Sequence, residues 1–209
     1  HDVNIIEEVG KITDISQVLT GLNPENITIL DEEFDKKYVE RIKNDIQLSP
    51  ECVEKFKDMK IVYTPIHGAG VRLVPMALKA FGFENVFVVP EQAVVDGNFP
   101  TVESPNPEER KTMLQAMEWG RKEGADLVLA TDPDADRIGT MVRTGDTYST
   151  ITGNQMGALL LDYIITARKA TGTMPENPAA LKSLVSSEMT RVIAEANGVY
   201  MAETFTGFK

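Results

Sequence analysis

Cysteine occurs once in this chain, at Cys52. A single thiol excludes a disulfide framework, which fits a reducing cytoplasm rather than a secreted scaffold. No pattern supplies Cys52 with a base, so it reads as structural or incidental, not as a nucleophile. Also missing is any apolar run near the ~20 residues that a bilayer-spanning helix needs. No signal peptide opens the chain: His1-Asp2-Val3-Asn4 reads as a cut made inside a longer sequence. Positive charge is in short supply, with 21 Lys and Arg against 32 Asp and Glu and a formal charge of −11. Such a surface is soluble and disfavours nucleic acid and anionic membrane as partners. A Walker loop is excluded, because no Gly-Lys-Ser/Thr follows Gly68 and Gly70. The dinucleotide fingerprint fails as well, since Leu73 stands where its third glycine belongs. Short-period repeats and low-complexity segments are absent.

What is there suits a packed fold. The 209 residues, 42% of them hydrophobic, are enough for one large or two small domains. Residues 3 to 20 carry short helical patterns that Gly21 and Pro24 stop. Ile27-Thr28-Ile29-Leu30 is a short strand candidate, and Phe34, Tyr38, Ile42 and Ile46 place one apolar face on a helix over 32–46. This opening segment has too few apolar residues for a core of its own. From Ser49-Pro50-Glu51, a helix start, the character changes. The spacing predicts strands at 60–64, 84–89 and 126–130, with helices over 71–81 and 108–123 between them. A long loop from Pro90 to Pro107 carries Glu91, Asp96 and Glu103, which read as surface groups. That alternation implies an α/β domain with parallel pairing and right-handed crossovers. A hairpin over 138–151 turns at Thr144-Gly145-Asp146. A second α/β unit follows: a helix over 153–169 with Met156, Leu159, Leu160, Tyr163 and Ile164 on one side, a strand at 181–186, a helix at 188–197 and a strand at 199–202.

The most informative stretch is Ala130-Thr131-Asp132-Pro133-Asp134-Ala135-Asp136-Arg137-Ile138-Gly139, delivered by the third strand. Alternate side chains of an extended or tightly turned segment point the same way, so Asp132, Asp134 and Asp136 can converge. Converging carboxylates repel unless a cation neutralises them, and hard oxygen ligands suit Mg²⁺ or Ca²⁺, not zinc or copper. Arg137 adds a bidentate donor that suits phosphate. An EF-hand beginning at Asp132 fails, because Arg137 and Arg143 occupy the positions that need Gly and Glu. The D-x-D of a haloacid-dehalogenase-type phosphatase matches in part, and a glycosyltransferase D-x-D or a plain acidic surface turn stays open on this stretch alone. Both this loop and His67-Gly68-Ala69-Gly70 follow strands, where ligands sit in such sheets.

Asp132 to Gly139 (DPDADRIG) resembles the metal loop of the phosphohexomutases, the phosphoglucomutase and phosphomannomutase superfamily. Thr64-Pro65-Ile66-His67-Gly68-Ala69-Gly70 and Glu203-Thr204-Phe205-Thr206-Gly207-Phe208-Lys209 agree, in the family's order and across nearly the whole chain. The resemblance implies two consecutive three-layer α/β units with mixed, mainly parallel sheets, the second truncated. Residues 1–47 would be the tail of a preceding domain and a connector, 48–151 the metal-loop domain, and 152–209 the start of the next. It also implies Mg²⁺ on Asp132, Asp134 and Asp136, a substrate site drawing on Arg137, His67, Thr206, Gly207 and Lys209, and catalytic roles for Arg137 and Lys209. The family reaction passes a phosphoryl group from a phosphoserine to a sugar phosphate, with glucose 1,6-bisphosphate as intermediate and activator. No T-A-S-H-N-P-type phosphoserine loop occurs here, so the expected partners include N- and C-terminal domains of the same chain. The TGFK stretch is nearer the phosphoglucomutase and phosphopentomutase branch. Outside this resemblance, a metal-dependent phosphatase or a non-catalytic metal-binding module remains open.

Overall fold

The computed structural model describes residues 2–18, 21, 23–46 and 49–207. Contacts divide the chain after Asp35 into two units. In the first, α1 (Asp2–Gly10) has no buried residue. It is followed by two single turns, one capped reciprocally by Asp14 and Gln17 and one capped by Asn23. Ile27–Leu30 is not a strand: an isolated extended segment has no ladder partner, and Ile29 stays 83% exposed. Helix α2 (Glu32–Ile46) forms as its periodicity predicts, but Val39 is its buried residue while Tyr38 and Ile46 stay exposed.

The second unit holds both sheets. Here α3 (Pro50–Phe56) leads to β1 (Ile61–Thr64), α4 (Gly70–Phe81) and β2 (Val86–Val88). Then come α5 (Leu114–Glu123), β3 (Leu127–Thr131), β4 (Ile138–Thr144) and β5 (Thr147–Ile151). The strand order is β2-β1-β3-β4-β5. β1 pairs parallel with β2 and β3, and the antiparallel strands β4 and β5 extend the β3 edge. Alternation along β1 and β3 divides the core in two. Ile61, Tyr63 and Leu129 face one way, packed by Val74 and Leu78 of α4. Val62, Val128 and Ala130 face the other, with Ala116 and Met117 of α5 and Met141 and Tyr148 of the hairpin. Helix, sheet and helix thus form three layers, and the sheet is mixed.

Helix α5 begins six residues later than its sequence pattern suggests. Between Asn106 and Leu114 the backbone makes successive i→i+3 turns, from Glu109 N–H to Asn106 O onward. The Thr112 hydroxyl, donating to Ser104 O at 2.8 Å, pins this stretch to the preceding loop.

The last elements are α6 (Gly153–Ala170), β6 (Ala179–Ser183), α7 (Glu188–Ala196) and β7 (Tyr200–Thr204). β6 and β7 make a separate parallel pair. α6 starts with a capping box between Thr152 and Gln155. Its buried face differs from the expected one. Leu161 and Ile165 pack against Ala194, Val199 and Met201, while Leu159 and Leu160 stay more than half exposed. Two strands are too narrow to cover both apolar stripes of the helix. Strand β6 also ends earlier than expected, because Ser186 N–H turns back to Ser183 O.

Candidate metal and phosphate site

Parallel β1 and β3 end side by side, and their loops meet. Residues 132–137 join β3 to the antiparallel β4, with Thr131 paired to Ile138 at the base. Ala135 N–H closes a turn on Asp132 O at 3.0 Å. That tight path takes Ala135 into the left-handed region at φ 61, a strained setting for a residue with a side chain. The outcome is convergence: Asp132, Asp134 and Asp136 each present a carboxylate oxygen, all within 4.8 Å of one another.

The three carboxylates differ in surroundings. Asp132 is buried and accepts from the Arg137 backbone N–H at 3.0 Å and from Arg137 Nε at 2.8 Å. Burial alone would push its carboxyl up. The Arg137 hydrogen bonds, helped by the guanidinium charge, outweigh that and hold it below the ordinary aspartate value. Asp136 is exposed. The close approach of the Asp132 carboxyl, then the charges of Asp134 and Asp132, hold its own carboxyl above the ordinary value. Crowding of like charge in this way is relieved by a hard cation, and three carboxylate oxygens are the donor type that Mg²⁺ or Ca²⁺ takes. Among the described residues this is the one cluster of such groups.

Arg137 is half exposed, its Nε held by Asp132 and its Nη1 donating to Asn106 Oδ1 at 3.3 Å. Its Nη2 edge has no hydrogen-bond partner among the described residues, which leaves a donor edge beside the carboxylates for an anion. Asn106 was not singled out by sequence reasoning. It lies 31 positions from Arg137, with no local pattern to connect them.

The loop after β1 buttresses this arrangement from beneath. Ala69 N–H donates to Pro133 O at 2.8 Å. Gly68 lies so close that a Cβ there would stand 2.3 Å from Pro133 Cα. A Cβ on Gly70 would meet Tyr63 Oη at 2.3 Å and Thr131 Oγ1 at 2.7 Å. These two glycines are therefore required by close approach. Ile66 and His67 adopt positive φ of 47 and 61, so the loop is strained before it reaches them.

His67 is buried, with both ring nitrogens engaged inside the protein. The direction of the chain can be assigned. Gln92 Nε2 donates to Thr101 Oγ1, Thr101 donates to His67 Nε2, and His67 Nδ1–H donates to Val94 O. Thr64 donates to Gln92 Oε1 at 2.7 Å and accepts from Ile66 N–H. The ring thus ties the loop after β1 to the long loop after β2. It offers no free nitrogen to a ligand, unlike the substrate contact expected from the sequence. Glu91 accepts from Trp119 Nε1 of α5, and Asp96 accepts from Asn98 N–H within the loop.

Thr206 and Gly207 lie exposed beyond the carboxyl end of β7, Gly207 at φ 77. Among the described residues no hydrogen bond joins them to the acidic loop. Lys209 lies outside the described residues. Cys52 is exposed on α3, and no helix among the described residues is long and apolar enough to cross a membrane.

The carboxylate triad and the arginine thus lie beyond the ends of adjacent parallel strands in a mixed three-layer α/β domain, the place where such sheets carry their ligand sites. The comparisons with known proteins make this particular. Residues 36–145 match the family description "Phosphoglucomutase/phosphomannomutase, alpha/beta/alpha domain II". Over 205 residues the chain is 37% identical to a phosphoglucomutase of Staphylococcus aureus, covering 98% of this chain and 36% of that protein. Two crystal structures share the fold. One is a putative phosphomannomutase of Thermus thermophilus (TM-score 0.63, 21% identity, 85% of this chain and 37% of that one). The other is a phosphoglucomutase/phosphomannomutase family protein of Burkholderia thailandensis (TM-score 0.62, 21% identity, 83% of this chain and 33% of that one). The chain belongs to the phosphoglucomutase/phosphomannomutase family, and it spans about a third of the length of these relatives.

Proposed function

We propose that this chain is the metal-bearing middle portion of a Mg²⁺-dependent phosphohexomutase that interconverts sugar 1-phosphate and 6-phosphate, glucose phosphate first among substrates. The observation that carries this reading is the convergence of Asp132, Asp134 and Asp136 within 4.8 Å beside Arg137. The 37% identity to a phosphoglucomutase favours glucose over mannose or pentose. Residues 48–151 would form the metal-loop domain and 152–209 the opening of the next, with the remaining domains supplied by a longer chain of cytoplasmic location.

Phosphoryl transfer needs positioning and charge neutralisation more than covalent assistance. When bound, Mg²⁺ would supply charge neutralisation for the transferring group. The chain's own residues do the rest. Asp132, Asp134 and Asp136 hold the cation. Asp132 also fixes Arg137 through two hydrogen bonds, so that the open Nη edge would be available to a phosphate oxygen. Gly68 and Ala69 hold Pro133, and so the spacing of the carboxylates. His67 acts here by shaping that loop. Thr206 and Gly207 would meet the sugar phosphate through the segment that ends in Lys209, whose ammonium would hold substrate or manage the hydroxyl proton. The phosphoserine that donates the phosphoryl group, with glucose 1,6-bisphosphate as the reorienting intermediate, would come from the preceding domain.

The test uses a full-length protein containing this sequence, with Mg²⁺, glucose 1-phosphate and a primer of glucose 1,6-bisphosphate, followed by phosphorus NMR. Formation of glucose 6-phosphate, lost on Asp134→Asn, is expected. Release of inorganic phosphate would move the assignment to a phosphatase, and no change with any sugar phosphate would leave a metal-binding module.

A further inference from the structure

We propose that Asn106 is a positioning residue for Arg137, and that the turn around it forms a third wall of the site beside the loops after β1 and β3. The inference rests on the reading of Arg137 as a phosphate-facing group. A guanidinium held only at Nε can still pivot about that bond, which spreads its Nη donors over many directions. The contact from Nη1 to Asn106 Oδ1 at 3.3 Å removes that freedom. Asn106 is itself fixed: the same Oδ1 accepts from Glu108 N–H at 3.1 Å, an Asx turn that sets the amide's direction. Its Nδ2 faces Glu109 Oε1 at 3.4 Å. The turn is seated on the sheet as well. Gly139, two residues after Arg137, approaches so closely that a Cβ would stand 2.2 Å from Pro107 O. Thr112 donates to Ser104 O at 2.8 Å and closes the far side. Two supports at different nitrogens therefore leave one guanidinium edge directed outward, and a bidentate arginine depends on such a fixed plane.

The test is a double-mutant cycle in the full-length protein, combined with NMR of the 209-residue chain. Asn106→Ala is expected to lower kcat about tenfold with KM nearly unchanged, and to have less than a twofold effect on kcat when Arg137→Ala is already present. In the chain itself, the ordered guanidinium N–H signals of Arg137 should average in Asn106→Ala while its backbone N–H signal, bonded to Asp132, stays put. An equal drop in both backgrounds, or no drop, would overturn the assignment. A full-length protein without mutase activity would instead remove the functional reading. The NMR then decides alone: unchanged guanidinium order in Asn106→Ala would overturn the role of Asn106.

Discussion

Gly68 shows how tightly the acidic loop is held. A methyl group there would meet backbone, at 2.3 Å from Pro133 Cα, so no side-chain rotation can relieve it. Gly68→Ala is expected to destabilise the protein by about 1–3 kcal/mol, the usual range for overpacking, and to weaken Mg²⁺ binding. Gly97→Ala, with open space around the added methyl, should change neither in a denaturant melt and a calorimetric titration. Tyr63 gives a pH dependence. Burial pushes its phenol from 10.0 up to about 12, against a hydrogen bond with Thr131 at 2.8 Å. The unfolded chain loses this proton first. Stability from this group is therefore fully present below pH 10 and falls as pH rises towards 12. Tyr63→Phe should flatten that alkaline slope in melts across the range. The acidic triad and Arg137 were legible in the sequence, because side chains two apart can converge without any knowledge of the rest of the fold. Asn106 and the closed ring contacts of His67 were not. Their partners come from loops 27 to 34 positions away or, for Asn106, from the far side of β3.

Elements were read well where a repeating apolar pattern meets a filled partner. β1, α4, β2 and β3 fall within a residue or two of their expected spans, since both faces of β1 and β3 are covered. Misreadings occur where packing decides instead. The turns at 106–113 replace a helix because Asn106 and Thr112 bind neighbouring backbone, and the exposed stripe of α6 reflects how narrow the β6–β7 pair is. Helix α5 offers a test in which two effects compete. Ala is favoured over Gly by up to ~1 kcal/mol in a helix interior. At Gly120, however, an added Cβ would lie 2.8 Å from Tyr148 Oη and 3.0 Å from Val128 Cγ2. Tyr148 is held by its bond to Ala125 O, so it cannot withdraw freely. Gly120→Ala should therefore lower stability, by about 1–2 kcal/mol net, as read by the denaturant midpoint. A stabilised variant would show that the hairpin yields easily.

At the scale of the molecule, the chain holds three converging carboxylates and about a third of the length of the relative it matches. It spans 36% of the phosphoglucomutase it matches and contains no phosphoserine loop of the family type. Added alone to Mg²⁺, glucose 1-phosphate and glucose 1,6-bisphosphate, it is expected to form no glucose 6-phosphate. Cation binding by the three carboxylates remains measurable without turnover. Calorimetric titration of the 209-residue chain with Mg²⁺, beside Asp134→Asn, tests it most directly. The account predicts one weak site in the wild-type chain, since the phosphate that would complete the coordination is missing, and loss of that site in the variant. Submicromolar affinity, binding undiminished by Asp134→Asn, or no binding at millimolar Mg²⁺ would contradict it.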